Sequence, residues 1–302
     1  MVSTAFSRRG ALGAFATAAV SATACLWSPS PVMAAVRRVV SLELQLTEIL
    51  VSLGAPPVAA ADNALYRRLI GAPELPVSVA DLGPIQQPNL EFLQHLAPDL
   101  IVVPAWEGSA NRATLARVAP VTQVGDFAIA SPLDRLFAAV RKLGALTAAD
   151  ADAERLVAEA EAAFREAAGA FSPQPTLLCR FFEDGRHLAV FGSKSVIGSV
   201  ADRVGVRNAW AGRRQSGFGT AVAAIEDLAG LAEARLVHFH RGAETDRALS
   251  RLERSPLWRA LPAVRRGDVF ATPVVHPNCG VASAIRFVAQ LRSALNGGSG
   301  HD

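Results

Sequence analysis

Residues 148–171 read AADADAERLVAEAEAAFREAAGAF, a proline-free stretch whose alanine, glutamate, arginine and leucine give it about the highest summed helix propensity a natural sequence offers. Leu156, Ala160, Phe164, Ala167 and Phe171 recur at three- and four-residue spacing and form one apolar stripe. Asp152, Glu159, Glu161, Arg165 and Glu166 fall mostly off it. One long amphipathic helix is expected here, at mid-chain, with strand and helix patterns alternating on both sides. Such an element acts as a spine between two lobes.

Before the spine, 38–42 (RVVSL) is a short buried-strand pattern, followed by a helical run at 44–53 that stops at Gly54. A second apolar strand at 57–60 leads into a polar loop through Tyr66, Arg67 and Arg68 to Pro76. Asn89 is placed to cap a helix reaching about Leu96. The strand 99–104 (DLIVVP) has an all-apolar centre, which suits a sheet covered on both faces. Trp106 and Glu107 follow it directly, at the carboxyl edge where open α/β sheets hold ligands. A helix at 111–118, a strand at 120–124 and a helix at 133–146 complete the first lobe.

Beyond the spine, 175–182 is a strand that turns at Glu183-Asp184-Gly185 into 187–191, a hairpin-like signal. A helix is expected at 196–204. The stretch 213–220 (RRQSGFGT) is too glycine-rich for regular structure, and a long loop inside a compact lobe is usually functional. A helical turn at 225–228, strands at 235–240 and 268–272, and a last helix at 281–295 follow. His276 lies in the exit loop 273–278, again at a carboxyl edge. His238 and His240 alternate on a strand and read as two solvent-facing histidines rather than a metal pair. The expected fold class is α/β: an amino-terminal lobe at 35–147 and a carboxy-terminal lobe at 172–296, joined by a single long spine helix at 148–171, with a ligand cleft between the lobes and a flexible tail at 297–302.

The formal charge is +3, and Arg8 and Arg9 belong to the leader, so removing the acid-free segment 1–34 leaves +1. That bias is too small to argue for nucleic acid or an anionic membrane. The leader reads as a twin-arginine (Tat-type) signal peptide: Arg8-Arg9, a short alanine-rich apolar run, and a cut after Ala34. A membrane anchor is the weaker reading, because a spanning helix wants about 20 strongly apolar residues. Cys25 is an alternative lipidation point, although Ala22 stands where leucine is wanted. In the periplasm, Cys179 and Cys279 leave two alternatives, one disulfide or two separate thiols. No GxSxG, Walker A, GxGxxG or HExxH pattern occurs, so binding rather than catalysis is expected.

The order of Arg38 to Leu42, Tyr66-Arg67, Asp81 to Gly83, Pro88 to Glu91, Pro98 to Ile101, the mid-chain helix, Val190 to Gly192, Asn208 to Trp210, Gly219 to Ala221 and Pro256 to Trp258 resembles the iron-siderophore periplasmic binding proteins, most nearly the ferric-hydroxamate receptors of ABC importers. The resemblance covers nearly all of the mature chain. It implies a monomeric, non-enzymatic carrier without a cofactor, which binds a ferric siderophore in a shallow, nearly preformed cleft, with no direct metal ligand, and docks on an ABC importer permease. Carried over by position, the docking acids are Glu91 and Glu226. The cleft residues are Leu69, Trp106, Phe218, Thr220, His276, Pro277 and Asn278, with Glu107 and Arg180 beside them.

Such receptors use an arginine in the loop before Pro88 and a tyrosine after the 99–104 strand to bond the oxygens that hold iron. Here those positions read Ile85 and Trp106 or Glu107, and isoleucine cannot supply a guanidinium's paired donors. Either Arg67, Arg180 or Arg213 reaches in instead, or the ligand is not a simple hydroxamate. The same architecture admits a corrinoid or haem carrier with His276 as axial ligand. An exported α/β hydrolase or metal-dependent enzyme is the reading from another class.

Overall fold

The computed structural model describes residues 38–296. The leader readings at 1–34, including Arg8, Arg9 and Cys25, and the tail at 297–302 lie outside the described residues. In the first lobe, β1 (Val39–Ser41), β2 (Ala59–Ala60), β3 (Ala80–Asp81), β4 (Leu100–Pro104) and β5 (Val121–Val124) form one all-parallel sheet in the order β3-β2-β1-β4-β5. Helices α1 (Leu44–Ser52), α2 (Asn63–Leu69), α3 (Leu90–His95), α4 (Ser109–Leu115) and α5 (Pro132–Thr147) alternate with the strands. Val40, Ile101 and Val103 enter one apolar core and Val39, Leu100 and Val102 the other, so the sheet is covered on both faces. Asn89 caps α3 as its sequence suggests, its Oδ1 accepting the Phe92 N–H at 2.9 Å.

The segment that reads as a polar loop contains α2. Tyr66 is fully buried with Leu44, Ile70, Leu75 and Val79, and its hydroxyl donates to the Pro73 carbonyl at 2.8 Å. Arg67 and Arg68 are exposed, so the polar look of the segment reports only its outer face.

The spine is α6 (Asp150–Ala167), shorter at both ends than the expected 148–171. Ala148 is left-handed (φ 55°) and closes α5, and Gly169 (φ 80°) ends the exit turn. Ala153, Leu156, Val157, Ala160, Phe164 and Ala167 form the buried stripe. Phe171 lies past the helix and is partly buried against the same core.

In the second lobe, β6 (Thr176–Phe181), β7 (His187–Phe191), β8 (Thr220–Ala224), β9 (Arg235–His240) and β10 (Val269–Pro273) lie in the order β10-β9-β6-β7-β8. The β6–β7 hairpin is antiparallel with Arg180 opposite Ala189, while β9 and β10 run parallel to β6. Strand β8 carries no sequence signal, since TAVAA is short and small-residued, yet it pairs along all of β7. Helices α7 (Val196–Arg203), α8 (Ala243–Leu252), α9 (Pro256–Ala260), α10 (Pro262–Arg266) and α11 (Val281–Asn296), with a 3₁₀ turn at Ile225–Gly230, complete it. His238 is not solvent-facing: β9 is enclosed between β6 and β10, and its ring is buried 5.2 Å from that of Phe181. Cys179 and Cys279 are separate buried thiols.

One continuous apolar core runs through the spine. It includes Leu50 and Val140 of the first lobe, Leu156 and Phe164 of α6, and Phe239 and Phe287 of the second lobe. Moving one lobe against the other would expose part of this surface at roughly 25 cal/mol per Å², so the fold resists hinge motion. Among the described residues no helix is long and apolar enough to cross a membrane.

Candidate functional site

The strand order of the first sheet reverses between β1 and β4, and a crevice at the carboxyl edge follows from that reversal. Glu43 follows β1, Trp106 follows β4 and Phe127 follows β5. Across from them stand the glycine-rich loop before β8 and the loop after β10. Gln45 on α1 donates to the Cys279 carbonyl at 2.8 Å, and the Pro277 carbonyl accepts the Ile197 N–H of α7 at 3.2 Å. The loop bearing His276 and Asn278 is thus held from both lobes.

Between these loops lies a cavity of about 440 Å³, walled by Ile85, Trp106 and Phe127 on one side and Phe218, His276 and Asn278 on the other. A second basin of about 440 Å³ opens beside it, over the inner face of the second sheet. There Leu69 of the first lobe faces Arg180, Phe182, Arg241 and Pro277 of the second. Thr220 and His276 line both basins.

Trp106, Phe127 and Phe218 are 50%, 51% and 42% exposed, so three large aromatic side chains stand open to water around one cavity. Phe127 and Phe218 meet across it edge to face, with centroids 5.9 Å apart. The Arg135 guanidinium sits 5.5 Å over the Phe127 ring. Exposed apolar surface gathered in a concavity marks a binding site.

Two titratable groups of the first basin are shifted by their surroundings. Burial pushes the Glu43 carboxyl up to about 7, against the opposing pull of the backbone N–H groups it accepts, among them Leu46 at 3.0 Å. Burial lowers the His276 imidazole and favours its neutral form, and its Nδ1 is buried without a hydrogen-bond partner. Near neutral pH a protonated Glu43 can donate to a ligand oxygen and an ionised one can accept. Among the described residues no cluster of three or more His, Cys, Asp or Glu side chains is arranged to hold a metal ion.

Of the residues singled out in the sequence, Trp106, Phe218, Thr220, His276 and Asn278 reach the first basin, and Leu69, Arg180 and Pro277 the second. Glu107 lines neither, since its carboxylate turns back to the Gly108 N–H at 3.0 Å. Arg67 is exposed, and Arg213 stacks 5.0 Å over Trp210 while donating to the Gly230 carbonyl. Arg180 alone of those three arginines lines the cleft. Glu91 and Glu226 are exposed acids in the first turns of α3 and the 3₁₀ turn, and neither lines the cleft. Glu43, Phe127 and Arg241 escape the sequence reading, although each lies just past a strand end; extending the strand-exit argument to β1, β5 and β9 finds them.

Residues 39–275 match the family model described as periplasmic binding protein. The chain belongs to the periplasmic binding protein family. Among relatives of this binding protein, the iron(3+)-hydroxamate-binding protein FhuD of Escherichia coli (strain K12) is 32% identical over 285 residues, covering 92% of this chain and 95% of that one. The Fe(3+)-citrate-binding protein YfmC of Bacillus subtilis (strain 168) is 31% identical over a shorter stretch of 91 residues, 29% of this chain and 28% of the relative. The structure of the siderophore-binding protein FhuD from Vibrio cholerae with Fe3+-Desferal superposes with a TM-score of 0.74 at 26% identity, covering 86% of this chain and 97% of that one. The triscatecholate siderophore-binding protein FeuA of Bacillus subtilis superposes at 0.70 with 14% identity, over 86% of this chain and 92% of that one, and shares the fold alone.

Proposed function

We propose that this binding protein captures a ferric siderophore, of hydroxamate type, in the periplasm and delivers it to an inner-membrane ABC importer without catalysing a reaction. The likeness to FhuD across 92% of the chain carries this reading. The cleft supports it, because aromatic and apolar walls, Trp106, Phe127 and Phe218 among them, suit a chelate that presents mostly ligand carbon around its iron. In this reading 35–147 and 172–296 are the two lobes, the segment around α6 is the link, and the twin-arginine leader provides export of a monomer. Trp106, Phe218, Thr220, His276, Asn278, Leu69, Arg180 and Pro277 contact the ligand, with Glu107 behind the Trp106 wall. Glu91 and Glu226 dock on the permease.

A corrinoid or haem carrier is the second reading, favoured by one observation, the placement of His276 on both basins with burial favouring its neutral, metal-ligating form. Titrating the mature protein with ferric hydroxamate, ferric citrate, cobalamin and haemin, and following tryptophan emission, separates the two. Hydroxamate binding tighter than about 1 µM, near −8 kcal/mol, is expected. Failure of the hydroxamate with uptake of haemin or cobalamin transfers the function to the second reading, and turnover lost on changing His276 replaces both with an enzyme.

A further inference from the structure

The second basin is cationic in a way that the first is not. Arg180 projects from β6 with its guanidinium 4.8 Å from the Phe182 ring centroid, and among the described residues it makes no ion pair. Arg241, just past β9, has a side chain only 14% exposed. Its one acidic partner is Glu244, 3.4 Å from Nη1, and Glu244 also takes Arg68 at 3.3 Å. The Nε of Arg241 is buried without an acceptor, as is the Nδ1 of His276 on the same basin. Burial first, and then the charge of Arg241, lowers the affinity of Arg180 for its proton. His276 is lowered by burial and by Arg241 as well. Two guanidiniums and an imidazole therefore line one basin, and the acid that pairs with Arg241, Glu244, is shared with Arg68.

Leu69, Phe182, Phe191 and Phe239 wall this basin, and apolar walls strengthen any charge-assisted hydrogen bond made inside it. Resting on the ferric-siderophore reading, we propose that Arg180 and Arg241, with His276, form an oxyanion subsite that takes a carboxylate carried by the ferric chelate. A planar guanidinium fork matches a carboxylate in two-point geometry, and Arg180, which lines the basin and makes no ion pair among the described residues, has donors that a neutral tris-hydroxamate arm leaves unused. The first basin, with Ile85 in its wall, then surrounds the iron core, while the second basin reads the charge of the periphery.

The test uses two ferric complexes of desferrioxamine B that share one tris-hydroxamate core, one capped by an acetyl group and one by a succinyl group, so that they differ by one carboxylate. The succinyl chelate should bind the mature protein about tenfold more tightly, and the preference should shrink as salt is raised. Arg180→Gln with Arg241→Gln should abolish the preference, so that the variant binds the succinyl chelate no more tightly than the acetyl chelate. Equal binding of both chelates by the unmodified protein, or a preference that survives the double substitution, overturns the subsite alone. Failure of both chelates to bind overturns the hydroxamate reading and the subsite with it. If the double variant does not melt cooperatively, the partly exposed single change Arg180→Gln and the salt dependence of the unmodified protein decide the matter by the same criteria.

Discussion

The buried carboxylate of Glu48 on α1 accepts the backbone N–H of Gly280 at 2.7 Å, across 232 positions of sequence and from one lobe to the other. Its second oxygen accepts the Ser283 N–H at 2.7 Å, so an acid of the first lobe caps the last helix of the second, and these two hydrogen bonds oppose the burial that raises its carboxyl. The approach is close enough that a Cβ on Gly280 would lie 2.7 Å from the Glu48 Cδ. Arg286 extends the tie, donating to the Ile70 and Ala72 carbonyls.

Glu48→Ala should therefore destabilise the protein by about 2–4 kcal/mol, because two buried N–H groups lose their acceptor. Gly280→Ala should also destabilise, by forcing the carboxylate aside. Urea unfolding midpoints measure both, and hydrogen exchange at 274–280 should quicken in each. An unchanged midpoint in Glu48→Ala would remove this contact from the account of lobe rigidity.

Glu43 makes stability depend on pH. With its carboxyl near 7 in the fold and near 4.5 when exposed, the native state holds an extra proton between those values. Stability from this group is therefore greatest at the acidic end and declines as pH rises from about 4.5 to about 7. Glu43→Gln, which cannot titrate, should flatten melting temperature across pH 5 to 8 relative to the unmodified chain. An equal slope in both proteins would reject the assignment.

The two thiols should be silent. Burial raises both Cys179 and Cys279 above the ordinary thiol range and hides them from reagent. A disulfide-exchange dye should react with neither in the native mature protein and with both in urea. Prompt reaction of one equivalent in native buffer would contradict the buried placement.

Removing an aromatic wall should cost affinity. Trp106→Ala and Phe218→Ala are each expected to weaken chelate binding roughly tenfold, as for an aromatic anchor at a binding surface, with little change in melting temperature because both side chains are already exposed. Calorimetric titration decides it, and full affinity in both variants would place the chelate elsewhere.

Docking is separable from binding. Glu91→Ala with Glu226→Ala should retain ligand affinity and lose uptake in cells dependent on this protein. Weakened ligand binding in the double variant would instead put these acids in the cleft's support.

Much of the architecture was legible because it follows from local periodicity. The buried stripe of α6 from Leu156 to Ala167, the apolar run of β4 and the Asp184-Gly185 hairpin each express a repeat or a turn that neighbours in sequence specify. Trp106 and His276 were legible for the same reason, since each lies just past an apolar strand. Glu43, Phe127 and Arg241 occupy the corresponding places after β1, β5 and β9.

What the sequence determined by itself, then, is the α/β alternation, the spine and the set of loops able to form a cleft, since propensity and spacing act over a few residues. Tertiary structure alone decided that Tyr66 anchors a helix, that TAVAA becomes β8, that His238 is buried and that Glu48 caps α11. It also decided the charge of the two basins. Desolvation and pairing depend on which side chains meet across hundreds of positions, and neither can be read from the spacing of residues along the chain.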